Sequence, residues 1–82
     1  MKDIILDYIR REYLDDEDEA AELDENTPLI SSGIVDSFSM VSLKRFLEKK
    51  YEISIPDERA TPEAFDTVTR IIELVRSYRK DL

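Results

Sequence analysis

The sequence contains no cysteine and no histidine. Without cysteine there is no disulfide and no thiolate metal site. Without histidine, the commonest general base and the commonest metal ligand are both missing. A Ser-His-Asp triad therefore cannot be assembled from this chain. Gly33 is the one glycine, so there is neither a glycine-rich phosphate loop nor a G-x-S-x-G elbow. No apolar run approaches the roughly 20 residues of a membrane span. The start, MKDIILDYIRREY, is charged throughout and does not read as a signal peptide. These absences fit a cytoplasmic protein that does not insert into a membrane. Any nucleophile here would need activation from outside the chain.

The 82 residues are one domain's worth, spanning 1–82. A domain this size buries only about 60% of its unfolded surface, which allows one modest core. The net charge of −8 is unevenly placed. Residues 15–25, DDEDEAAELDE, carry eight acidic groups and no basic one, while acids and bases cancel over the rest. Such a run is either a solvated loop or an electrostatic contact for a basic partner. A calcium loop does not fit it. A window opening at Asp15 has Ala20 at the sixth position, where an EF-hand needs glycine, and Asn26 at the twelfth, where a glutamate belongs. The chain also lacks the basic patch of a nucleic-acid binder.

Apolar spacing predicts a helix over 3–14, with Ile5, Tyr8, Ile9 and Tyr13 near one face. Asp3 and the pair Arg10 and Arg11 suit its dipole. A long connection follows; Pro28 and Gly33 oppose a continuous helix there, and Leu29 and Ile30 are expected to tuck into the core. A second helix is predicted from Asp36 or Ser37 to Tyr51, with Asp36 as N-cap. Met40, Leu43, Leu47 and Tyr51 form its core stripe, widened by Val41 and Phe46. YEISIPDE reads as a loop whose Ile53 and Ile55 plug the core, since no partner strand is visible. A short helix is expected at ATPEAF, with Thr61 as cap and Pro62 in the first turn. Asp66 or Thr67 then caps a last helix running to about Arg79, with Val68, Ile71, Ile72, Val75 and Tyr78 inward. The expected fold is all-α: a small antiparallel bundle of three main helices and a short one, with a long first loop.

Ser37 stands out in GIVDSFSM, residues 33–40. It opens a helix, where unpaired N–H groups and the dipole favour negative charge. A phosphate esterified there would be stabilised. Gly33 allows a tight turn just before it, and Ile34, Val35, Phe38 and Met40 surround it with apolar surface.

From Leu29 to Val75 these residues resemble the acyl carrier protein family. In that family a D-S-L motif opens the second helix, and its serine carries a 4′-phosphopantetheine arm whose thiol holds acyl groups as thioesters. The motif here is Asp36-Ser37-Phe38. Gly33, Val41, Leu43, the segment LEKKYEISIPDE and the final TVTRIIELV extend the similarity. The resemblance implies that Ser37 is the attachment site and that Asp36 belongs to the recognition motif. It implies a phosphopantetheinyl transferase, using coenzyme A and its own magnesium, as one partner. A loading ligase or transferase for acyl or aminoacyl groups is another. It implies a monomeric carrier that is not itself an enzyme. Ile34, Val35, Phe38, Ser39, Met40, Val41, Ser42 and Arg45 are the expected partner interface. Ser39 and Ser42 stand where carriers of fatty-acid synthesis usually have acids, and Lys44, Arg45, Lys49 and Lys50 share the helix. That departure points to a specialised pathway with dedicated partners. The reading from a different class is a helical interaction adaptor, which would use the apolar patch around Phe38 without modification.

Overall fold

The computed structural model describes residues 1–14 and 17–81. Helix α1 spans Lys2–Tyr13 and buries Ile5, Leu6 and Ile9. Asp3 lies in its first turn and Arg10 and Arg11 in its last, each favouring the helix dipole. Leu14 is extended and ends it. A six-residue helix α2, Glu17–Glu22, follows. It lies in the stretch expected as open connection, and Leu23 just after it is buried. Asp15 and Asp16, where the acidic segment begins, lie outside the described residues.

Helix α3 spans Ser37–Tyr51, capped by Asp36, and buries Leu43, Leu47 and Tyr51. It stops where Glu52 turns left-handed at φ 55° and the Ile53 N–H donates back to the Glu48 carbonyl at 3.1 Å. Helix α4 spans Val68–Tyr78. Thr67 is its cap, accepting at Oγ1 from the Arg70 N–H at 3.1 Å. Val68, Ile71, Leu74 and Val75 are buried, and α4 packs against α1.

One connected core of Leu, Ile, Val, Phe and Tyr side chains is drawn from α1, α3, α4 and the connections between them. Leu29 is fully buried and Ile30 packs on the core, so the first connection is ordered as its sequence suggests. Ile55 is buried, Ile53 half-buried, and residues 52–56, the middle of YEISIPDE, are a loop as expected. There is no strand among the described residues. The result is a small helical bundle with extents of 34 × 23 × 19 Å.

Three expectations need correction. The short helix is not at residues 61–65 but is a single 3-10 turn at Asp57–Arg59, started by Pro56 at φ −63°. Residues 61–66 instead make consecutive turns, with Ala64 N–H to the Thr61 carbonyl and Asp66 N–H to the Glu63 carbonyl. In this arrangement Phe65 lies fully in the core and Asp66 bonds to the first connection. Tyr78 is 36% exposed, beneath the Arg59 guanidinium at 5.8 Å, and Leu74 takes the inward position. Val41 is 47% exposed and does not widen the core stripe of α3.

Candidate functional site

The chain approaches Ser37 through a loop held at several points. Gly33 has φ +86°, and a Cβ there would meet nothing within 4 Å, so glycine is favoured by backbone conformation and not by space. Its N–H donates to the Ile30 carbonyl at 3.1 Å and closes the turn. Val35 N–H donates to the Leu29 carbonyl at 2.9 Å. The carboxylate of Asp66 reaches across from just before α4. Its Oδ1 accepts from the N–H of Ile30 at 3.0 Å and of Ser31 at 2.9 Å, and its Oδ2 accepts from the Ser31 hydroxyl at 2.9 Å. These bonds to Ser31 first, then Ile30 and the nearby Arg70 charge, hold the Asp66 carboxyl below its ordinary range. Sequence reasoning considered Asp66 only as a helix cap. Because Thr67 supplies that cap, the carboxylate beside it is left for another partner.

Asp36 has extended backbone and caps α3, accepting at Oδ1 from the Ser39 N–H at 2.7 Å. The Ser39 amide, above all, depresses its carboxyl pKa. Tyr13 of α1 donates its hydroxyl to the Ser39 carbonyl at 3.1 Å. Burial, chiefly, pushes the Tyr13 phenol upward, so it stays a donor at neutral pH. Tyr8 stacks on Phe46 with ring centroids 4.0 Å apart and meets Tyr13 edge-on at 6.0 Å. An aromatic brace thus holds the start and middle of α3 against α1.

On that support, Ser37 is exposed at the first position of α3. Phe38 beside it is 86% exposed. Phe38, Val41, Ser42 and Arg45, all exposed, follow each other at three- and four-residue steps and share one face. Ile34 and Met40 are half-buried and rest on the core. Ser39 is half-buried and tied by its backbone to Asp36 and Tyr13. Val35, expected at the interface, is 0% exposed and belongs to the core. Its hydrophobicity serves packing, and the single residue step from Ile34 turns it inward.

Chemically the site offers a hydroxyl and little else. Asp36 is the nearest carboxylate in sequence, yet its hydrogen bonds make it a weaker base than an ordinary aspartate. No group of three or more acidic residues among the described residues is placed to hold a metal ion. No helix among them is long and apolar enough to cross a membrane. An anionic ester on Ser37 fits the position: the hydroxyl is open to solvent and lies at the positive end of a 15-residue helix.

No family model matches the chain. Over 72 residues it is 33% identical to the probable acyl carrier protein PigG of Serratia sp. (strain ATCC 39006). The match covers 88% of this chain and 80% of that protein.

Proposed function

The chain belongs to the acyl carrier protein family, and we propose that Ser37 bears a 4′-phosphopantetheine arm with which it carries acyl or aminoacyl groups between enzymes of a specialised biosynthetic pathway. The observation that carries this reading is Ser37 itself, an exposed hydroxyl on the first turn of α3 directly after its Asp36 cap. When bound, the arm supplies the thiol that this cysteine-free chain lacks. In the loading step a phosphopantetheinyl transferase brings coenzyme A to Ser37. The serine Oγ forms a bond to phosphorus, the phosphoanhydride bond breaks, the nucleotide part of coenzyme A leaves, and the hydroxyl proton passes to a base of the transferase. Asp36 keeps α3 formed up to its first residue, so the hydroxyl is presented at a fixed place. The loop tethered by Asp66 positions the approach. We assign the chain no catalytic residue of its own, and place it in the cytoplasm as a monomer.

The test is intact mass after incubation with coenzyme A, magnesium and a broad-specificity phosphopantetheinyl transferase. One phosphopantetheine is expected on the parent and none on Ser37→Ala. A folded parent that accepts nothing from several transferases would return the adaptor reading, with Phe38 as a contact that needs no modification.

A further inference from the structure

The charge of α3 runs against the charge of the molecule. The chain carries −8 overall, yet Ser37–Tyr51 holds Lys44, Arg45, Lys49 and Lys50 against Glu48 alone. Glu48 is half-buried and spends its carboxylate on the Ile55 N–H at 2.9 Å. Lys44 is paired with Asp57 at 3.0 Å. What remains exposed are Arg45, Lys49 and Lys50. Arg45 and Lys49 continue the face that begins, one residue from Ser37, with Phe38 and Val41, and Lys50 flanks that face about a third of a turn away. A protruding aromatic ring followed by a positive stripe therefore borders the attachment point.

From this geometry we infer that α3 docks on enzyme surfaces with an apolar recess for Phe38 and carboxylates facing Arg45, Lys49 and Lys50. The inference rests on the carrier reading and names the chemistry of its partners. An enzyme that modifies the Ser37 hydroxyl must come up beside this face. Opposite charges then speed encounter and fix orientation, while like charges reject. A stable contact with a second copy would need about 800 Å² from each side. Phe38 and Val41 are the large exposed hydrophobics on this face, too little apolar surface for that. A transient enzyme contact needs far less.

The test uses two phosphopantetheinyl transferases, one with acidic and one with basic side chains around its coenzyme A cleft. The parent is expected to be modified at lower KM by the acidic-faced enzyme. The triple variant R45E/K49E/K50E should reverse that order, changing the ratio of the two KM values by about tenfold or more. The neutral variant R45Q/K49Q/K50Q should fall between. All differences should shrink as salt rises from about 0.05 M to about 0.5 M. Circular dichroism checks the fold, and if the triple variant is unfolded, Arg45→Glu and Lys49→Glu are read singly for the same direction. An unchanged ratio, or a parent that prefers the basic-faced enzyme, overturns the inference. So does binding of the parent to phosphatidylglycerol vesicles that the triple variant loses while the enzyme preference stays put, which would make the face a membrane contact. A parent dimer that the triple variant dissolves would assign the face to a second copy. If neither transferase modifies Ser37, it is the carrier reading that has failed, an outcome distinct from modification without charge preference.

Discussion

Asp36 holds the Ser39 amide at 2.7 Å, and its carboxyl pKa is lowered from 3.8 mainly by that bond. A folded-state value below the unfolded one stabilises the fold above about pH 4, and that contribution disappears as pH falls through the folded value. The carboxylate also adjoins Ser37, so on the proposed carrier reading cap and recognition would coincide in one residue. Two substitutions separate them. Asparagine caps a helix about as well as aspartate, whereas alanine does not. Asp36→Asn should therefore keep a thermal midpoint near the parent's at neutral pH, and Asp36→Ala should fall below both. Transfer of the arm to Ser37 should be slowed in the two alike, because both lack the charge beside the hydroxyl. Thermal unfolding and initial rates of modification measure this. Rates that simply followed the midpoints would reduce Asp36 to a cap.

Among the elements, the loop from Pro28 to Asp36 owes its shape to a residue distant in sequence. The Ile30 and Ser31 amides both donate to Asp66 Oδ1. Since the Asp66 carboxyl is held below its ordinary value of 3.8, the anchor is present above that range and lost as pH falls through the lowered value. In an acid titration followed by amide NMR, Ile30 and Ser31 should shift together with a midpoint below the usual carboxylate range. The shift should vanish in Asp66→Asn, while the middle of α1 is unaffected in both proteins. Titration of these amides at an ordinary carboxylate value would show that the anchor does not form. Nothing local announces this bond, and it was not legible in the sequence. The main helices were legible, because Ile5 and Ile9, Leu43 and Leu47, and Ile71 and Val75 repeat at helical spacing beside recognisable caps. The place of Ser37 at the start of α3 was legible for the same reason, standing right after a cap. Helix α2 was not, because EDEAAE has no apolar periodicity and the buried Leu23 lies just beyond it. Residues 61–65 misled because Thr61 and Pro62 satisfy the local rules for a helix start. The segment forms turns that bury Phe65 and leave Asp66 bonded to the first connection instead. Val35 misled because adjacent apolar residues do not say which one faces inward.

At the scale of the whole molecule, the same side chain stands in two opposite environments. Phe65 is fully buried at 0%, while Phe38 stands 86% exposed beside Ser37. A domain of this size is stable by about 5–15 kcal/mol, and removing a buried phenylalanine side chain costs about 3–5 kcal/mol. Phe65→Ala should therefore lose a large share of the folding free energy and sharply lower the urea midpoint. Phe38→Ala deletes the same atoms from a site with little to lose, so its effect should stay within about 0.5 kcal/mol. Its cost should appear instead in KM for enzymes acting at Ser37. Urea unfolding of both variants, with equal m-values to confirm a common unfolded state, measures the contrast. If Phe38→Ala were as damaging as Phe65→Ala, the ring would pack against its own chain in solution, and the face beside Ser37 would lose its apolar contact.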